Sequence, residues 1–460
     1  MANSIFETSV EVSAPVQALF DYHERPGAFL RINPPWEPVE VVEHTGGIRD
    51  GARVDIRLNI GPVPVRWLLT HQNYQHGVQF EDQQVRGPFA FWRHTHRTEP
   101  LDDTHSRLID HIEYRLPMGV LGKTFGGAFA RAKLRRMFTY RHAVTLHDLH
   151  TQRRYPQTPL RIAITGASGL IGTQLAAFLS ISGHEVLRLV RGVSNPARGK
   201  SPWNPTQGRL DPAQLEGLDA VIHLAGEDIA GQRWTPAQKQ RILESRSQGT
   251  RLLAETLAQL QQPPHVLLSA SAVGYYGDRD AEILTEDSPP GDLFVSEVVR
   301  AWEDATQPAR DAGIRVVNLR MGTVLALQGG ALARMLLPFQ LGTGGTLGNG
   351  RQWMSWISLD DVLGAFYHAL MTEALSGPVN VVAPAPVTNQ EYTRTLGRVL
   401  ARPTLIPIPP LALRVLYGEL ANELLFASTR ALPHHLEATG YQFRHRELEP
   451  ALRHVLGRVK

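Results

Sequence analysis

Three glycines at regular spacing, in Gly166-Ala-Ser-Gly169-Leu-Ile-Gly172, mark the clearest place for chemistry in this sequence. They follow a short apolar run, Leu160–Thr165, and lead into a helical stretch, Thr173–Ser182, with a second apolar run at Glu185–Val190. Between strand and helix, the first glycine permits a tight turn and the second lets the backbone approach a pyrophosphate. The third lets the helix pack closely on the strand. The helix start then offers free N–H groups and the positive end of its dipole to phosphate oxygens. Gly166, Ser168, Gly169, Leu170, Ile171 and Gly172 are therefore the expected contacts to a dinucleotide. A glycine turn in a non-binding domain is the plain alternative, and the flanking strands and helix argue against it.

The end of the second strand selects the cofactor. An acidic residue there accepts from a ribose 2′-OH in NAD sites, whereas an arginine accommodates the 2′-phosphate of NADP. This chain has Leu189-Val190-Arg191-Gly192, so Arg191 is the expected 2′-phosphate ligand. NADP is expected, with NAD the alternative if Arg191 is only a solvated surface residue. Asp219–Ala225 reads as the next cofactor strand, and Leu224, Ala225 and Gly226 would let a cofactor pass over its end. His223 reads as a packed core residue. Ser269 and Ser271, on the strand Val266–Ser271, are expected to face the crevice at the carboxyl ends of the strands.

Tyr275 and Tyr276 follow, and a phenol there would reach the nicotinamide face. Arg320, closing the strand Arg315–Leu319, would be a cation that lowers its pKa. The bland reading of both tyrosines is packing in a strand-to-loop turn. Glu286-Asp287 reads as a capped loop and Asp360-Asp361 as the cap of helix Val362–Met371. Trp356 is expected to line a substrate pocket, and Gly342–Gly350 to form a flexible flap.

The elements that must position these residues fill only part of the chain. Its 460 residues are too many for one ordinary core. Residues 1–148 show short alternating segments: Ser4–Val12, Arg53–Ile60, Val65–Gln72, Gly77–Asp82, Phe89–Arg97 and Ser106–Leu116. A helix at Val16–Phe29 and a long closing helix at Gly119–Leu146 complete an α+β domain. Residues 149–159 read as a polar linker, and 160–401 as a parallel sheet with crossover helices. Residues 402–460 read as a C-terminal cap. The absence of cysteine excludes disulfides, thiolate zinc sites, iron–sulfur clusters and a Cys nucleophile, and the motifs give no expectation of a metal. A net charge of +3 without clustered bases argues against nucleic acid. With no long apolar run and no leader-like start, no membrane partner and a cytoplasmic location are expected.

Several strings carry a family resemblance. The order of elements in residues 1–148, opening with Glu7–Phe20, resembles the helix-grip fold of the Bet v 1 and polyketide-cyclase-like (SRPBCC) superfamily, which implies a cavity for an apolar ligand. GASGLIG, DAVIHLAGEDI, SQGTRLL, SASAVGYYGD and WISLDDV resemble extended short-chain dehydrogenase/reductases of the Rossmann type. GQRWTPAQKQRILESR, LTEDSPPG, SGPVNVVAPAPVTNQEYTRTLGRVL and GELANELL resemble one branch, the "epimerase family proteins" with a DUF1731-type C-terminal segment. The resemblance implies a small carbonyl or sugar-like substrate and hydride transfer. It also exposes a departure. Active members of that superfamily use Tyr-x-x-x-Lys, and on the stretch ending in Glu303 those positions fall on Val295 and Val299. Ser271 does match the family serine.

Three readings follow. The chain is an NADP-dependent oxidoreductase or epimerase whose proton chemistry uses Ser271, Tyr275 or Tyr276. Alternatively it is a non-catalytic sensor of NADP(H) and a ligand. In the third, the N-terminal domain is itself reactive, as a cyclase or dehydratase.

Overall fold

Gly46, Gly47 and Gly51 all take left-handed backbone (φ +77°, +65° and +80°), and the chain reverses there between two antiparallel strands. The computed structural model describes residues 3–61, 63–155, 158–191 and 199–458. It divides into two compact units. One comprises Met1–Thr158, Ser180–Gly183 and Leu456–Lys460, and the other Pro159–Leu179 and His184–Val455.

The first unit is an antiparallel sheet of seven strands: β1 (Ser4–Val12), β2 (Val39–Thr45), β3 (Arg53–Ile60), β4 (Val63–Gln75), β5 (Gln79–Arg86), β6 (Phe91–Pro100) and β7 (Ser106–Arg115). Their order is β1-β7-β6-β5-β4-β3-β2, so each hairpin neighbour pairs and β1 closes beside β7. Sequence patterning misses β2. It is an edge strand exposed along nearly its whole length, so neither face carries the apolar alternation that marks a half-buried strand. The helix expected over Val16–Phe29 is two, α1 (Val16–Glu24) and α2 (Ala28–Ile32), broken where Pro26 cannot continue the hydrogen-bond ladder.

Helix α3 runs from Gly119 to Arg153, well past the expected Leu146. The first residues of the supposed linker are its last turn, in which Leu149, Thr151 and Gln152 are buried. Local polarity suggested a linker there, but tertiary packing holds the helix. Phe138 and Leu134 of α3 pack on Phe6, Trp92 and Ile112 of the sheet. Farther along α3 the interior is polar rather than apolar. His23, His96, Asp110, Arg141, His142 and Thr145, with Ile32, Leu108 and Phe138, surround space for about one water. The walls of that space are largely polar and charged.

The second unit is built on a sheet whose inner strands are buried on both faces. It contains β8 (Arg161–Thr165), β9 (Glu185–Val190), β10 (Lys200–Asn204), β11 (Arg209–Leu210), β12 (Ala220–His223), β13 (Val266–Ala272), β14 (Arg315–Met321) and β15 (Gly377–Val381). The order is β11-β10-β9-β8-β12-β13-β14-β15, parallel except for the β10–β11 hairpin. This is the doubly wound Rossmann order, which switches direction between β8 and β12. Helix α4 (Leu170–Ile181) follows β8, α5 (Pro236–Ala258) follows β12, and α6 (Phe294–Asp304) lies between β13 and β14. Leu253 and Leu257 of α5 pack on Ala163, Val221, Leu267 and Val316 of the sheet.

The segment after residue 401 belongs to this unit through Val455 and is not a separate body. Ile408 exchanges backbone hydrogen bonds with the glycine-rich stretch, its N donating to Thr346 O at 2.8 Å and its O accepting from Gly348 N at 3.0 Å. Gly342–Gly350 is therefore tied down rather than a free flap. Among the described residues no helix is long and apolar enough to cross a membrane.

Candidate active site

The switch point places the glycine loop where ligands of open α/β sheets lie. Gly166 takes φ +67°, and a Cβ there would stand 2.7 Å from the Leu224 carbonyl carbon. That close approach brings Leu224 and Ala225, at the end of β12, against the loop. A methyl on Gly172 would collide with the Gly166 carbonyl oxygen, so the third glycine is fixed by the tight strand-to-helix packing. Ser168, Gly169, Leu170 and Ile171 form the turn and the first residues of α4. Gly169 N closes the turn on Gly166 O at 2.9 Å, and the backbone N–H groups of Ser168, Leu170 and Ile171 at the helix start are the donor set suited to phosphate. Arg191 directly follows β9 and is exposed.

Below this loop the polar groups are saturated. His223 is fully buried between Thr165 Oγ1 (2.8 Å) and Thr250 Oγ1 (2.9 Å), and burial pushes its pKa down to about 4. It is a packed core residue, as its position in an apolar strand suggested. Ser269 is also buried, and its hydroxyl lies 3.2 Å from the Ala270 carbonyl. It is not open to the crevice as the position had suggested.

Ser271 anchors a different network. Its Oγ donates to Glu303 Oε1 at 2.6 Å. Arg320, 3% exposed, grips both Glu303 oxygens, Nε to Oε1 and Nη2 to Oε2, each at 2.8 Å. Arg320 Nη1 donates to the Tyr276 hydroxyl at 3.1 Å, and that hydroxyl donates to Asn380 Oδ1 at 2.7 Å. Tyr276 is fully buried and its pKa is pushed up to about 12, because desolvation outweighs the lowering by Arg320. The low-pKa phenol sought at this position is absent, and Tyr276 is a core hydrogen-bond partner.

Tyr275 differs. It is part-exposed, and the Arg320 guanidinium lies 3.5 Å from its ring centroid. No hydrogen bond is recorded for its hydroxyl among the described residues, which leaves it as the phenol open to a ligand.

Helix α6 carries the other side of the site. Val295 and Val299 are buried, and a Cβ at Gly274 would touch them at 3.5 and 4.0 Å. The start of α6 is capped by Glu423, whose carboxylate accepts from Phe294 N (3.3 Å) and Val295 N (3.0 Å). The C-terminal segment thus holds in place the helix that supplies Glu303. Glu286 is buried, and its Oε1 accepts from Asn380 N (3.0 Å) and His435 N (3.1 Å), so it joins loops rather than facing a substrate.

Trp356 is fully buried with its indole donating to Ala385 O, and lines no pocket. The cap of helix Leu359–Met371 is Ser358, whose Oγ accepts from Asp361 N, not the acidic pair itself. Sequence reasoning also missed Arg246. It sits beside Gly226 (3.3 Å from a Cβ built there) and is drawn down to about 10 by burial. Its signal was available: it falls four residues from both Ile242 and Thr250, on the buried stripe of α5.

Both units match known protein families. Residues 162–382 match the family described as NAD dependent epimerase/dehydratase, 408–455 the domain of unknown function DUF1731, and 12–138 the polyketide cyclase/dehydrase and lipid transport family. An epimerase family protein of Mycobacterium tuberculosis is 44% identical over 292 residues, 63% of this chain and 96% of that one. The human epimerase family protein SDR39U1 is 36% identical over 300 residues, 65% of this chain and 100% of that one. The crystal structure of a nucleoside-diphosphate sugar epimerase from Corynebacterium glutamicum is similar with a TM-score of 0.80 and 34% identity. It covers 98% of this chain and 90% of that one. A crystal structure of human SDR39U1 with NADPH is similar with a TM-score of 0.60 and 36% identity, over 64% of this chain and 99% of that one.

Proposed function

The chain belongs to the NAD-dependent epimerase/dehydratase family, and from that premise we propose that its second unit is an NADP(H)-dependent oxidoreductase or epimerase for a small carbonyl or sugar-like compound. The observation that carries the proposal is the Gly166–Gly172 loop at the switch point, with exposed Arg191 directly after the neighbouring strand. Loop N–H groups and the α4 N-terminus would hold the pyrophosphate, Leu224–Gly226 the cofactor's underside, and Arg191 a 2′-phosphate. The human relative's crystal structure with NADPH supports the same preference. When bound, the nicotinamide supplies hydride exchange.

The chain's own residues would orient the substrate and handle the proton. Val295 and Val299, where the superfamily carries its tyrosine and lysine, cannot transfer one. Tyr275 is the available phenol, its ring held by Arg320. Ser271 is buried and already donates to Glu303, so its part would be to hold that carboxylate in place.

A second reading, a ligand and NADP(H) sensor without turnover, is favoured by the packing of Val295 and Val299 against Gly274. One experiment separates the two. The full chain is mixed with NADPH and a panel of aldehydes, ketones and nucleotide sugars, and absorbance of the reduced nicotinamide and product isomers are followed. Cofactor oxidation or epimer formation that Tyr275→Phe abolishes supports the enzyme. Tight NADPH binding with no change across the panel supports the sensor.

A further inference from the structure

The inner face of the first unit's sheet carries side chains that the second unit's chemistry does not use. Strand register sets His71, Asp82 and His94 side by side in one row, and His96 beside Asp110 in the next. All five are buried. One oxygen of Asp82, Oδ2, lies 3.2 Å from His94 Nδ1 and 3.5 Å from His96 Nε2. Ligand-capable atoms of Asp82, His94 and His96 fall within 4.8 Å of one another.

Behind these atoms stands Asp110. Its Oδ1 lies 2.9 Å from His94 Nε2 in a hydrogen bond, and 3.0 Å from His96 Nδ1 without good alignment. Its Oδ2 binds His142 Nε2 at 2.7 Å. Asp82 Oδ1 accepts from the Trp92 indole at 3.2 Å.

Counting protons shows what is missing. An ionised carboxylate only accepts, so His94 must donate to Asp110 through Nε2, and a neutral ring then turns a lone pair at Nδ1 toward Asp82. His96, beside the same Asp110 oxygen, turns Nε2 to Asp82 in the same way. Three lone-pair atoms converging away from water are unfavourable unless a cation lies among them. A proton is one such cation, and at 3.2 Å the His94 contact to Asp82 stands at the long end of the N–H···O range, with His96 at 3.5 Å beyond it. Those separations fit a coordination shell better. Bonds of about 2.0–2.1 Å at the tetrahedral angle place neighbouring ligand atoms about 3.3–3.4 Å apart.

We propose that Asp82, His94 and His96 form a binding site for a divalent transition-metal ion of the zinc type. Two imidazoles and a carboxylate are a donor set for such ions, and Asp110, steadied by His142, is the outer carboxylate that orients the ligating rings. A space for about one water lies on the other side of His96, lined also by Asp110, Arg141 and His142, so the outer carboxylate has its own polar surroundings. His71 is a further buried imidazole on the same face, with its Nδ1 unpartnered among the described residues. Sequence spacing gave no sign of the site, because its ligands come from two strands and join only through sheet register.

The test uses the full chain, stripped with a chelator and then titrated with zinc by calorimetry and with cobalt(II) for its visible spectrum. One equivalent per chain, tetrahedral-type cobalt bands and a zinc-dependent rise in Tm are expected. Asp82→Asn and His96→Gln should each remove the tight equivalent, and His142→Gln should weaken it about 10–100-fold. A second His/Glu group in the other unit, Glu286 with His434 and His435, serves as the control. The exposed His434→Ala should leave zinc binding unchanged. The proposal is overturned by a wild-type chain that binds no equivalent. It is equally overturned by an equivalent that survives Asp82→Asn and His96→Gln, or that disappears in His434→Ala. If a ligand variant does not fold, ring-nitrogen NMR of the wild-type chain decides. Zinc should shift the His94 and His96 signals, and shifts confined to other histidines overturn the assignment.

Discussion

Glu303→Ala removes the acceptor that Ser271 and Arg320 share, and the structure sets the size of the loss. Arg320 is 3% exposed and its guanidinium meets both Glu303 oxygens at 2.8 Å, so its charge would be left buried without a counter-ion. Breaking such a pair from one side costs about 3–5 kcal/mol. Ser271→Ala alone deletes one hydrogen bond to a charged acceptor, worth about 1.5–3 kcal/mol. In the double variant Ser271 has no acceptor left to lose. The double should therefore cost about what Glu303→Ala costs alone, with a coupling near 1.5–3 kcal/mol. Urea unfolding of the four proteins, followed by circular dichroism with m-values compared, measures it. Strict additivity, or a Glu303→Ala loss below about 1 kcal/mol, would refute the shared network.

Other consequences are open to direct measurement. Arg191→Ala should weaken NADP by about ten- to a hundredfold, the worth of a charge-assisted phosphate contact, and leave NAD nearly unchanged; equal losses in a fluorescence titration would remove the 2′-phosphate assignment. Gly172→Ala forces a methyl into the Gly166 carbonyl, so it should lower stability by about 1–3 kcal/mol and abolish nucleotide binding, read by Tm with and without NADPH. His223 has a folded pKa of about 4 against about 6.5 unfolded, so between those values the unfolded chain binds more protons. Its contribution is complete above about pH 6.5 and is lost as pH falls to 4, roughly 3 kcal/mol in all; His223→Gln should flatten acid unfolding over that window, and an unchanged profile would contradict the assignment.

The loop Gly166–Gly172 and the alternation of strands and helices after it were legible in the sequence, because each rests on local rules of turn chemistry and periodicity. What was not legible depends on partners distant in the chain. β2 has no buried face to announce it. The last turn of α3 is polar in sequence and is held by packing. The role of Tyr276 turned on Asn380 and Arg320, neither near it in sequence, which place its hydroxyl in the core. Ser271 was found by position, but its partner Glu303 lies a helix away. The polar interior of the first unit was hidden most completely, since buried His94 and His96 alternate with Arg93, Thr95 and Arg97, and a strand polar on both faces does not announce which one is inward.

The packing of α6 also sets what a tyrosine at 295 and a lysine at 299 would do to the fold. Val295 and Val299 are 3% and 4% exposed, and both lie over Gly274. A lysine at 299 would place an ammonium in that apolar contact, at the cost of desolvating a charge, with Glu303 already committed to Arg320 and Ser271. A tyrosine at 295 would need more volume than the Gly274 contact leaves. The double change Val295→Tyr with Val299→Lys should therefore destabilise the chain rather than create a standard reductase. A folded double variant with raised turnover would show instead that the pocket is preformed and only its acid was lost. The helix face has closed around apolar residues, so the proton chemistry proposed for this unit falls to Tyr275 and not to α6.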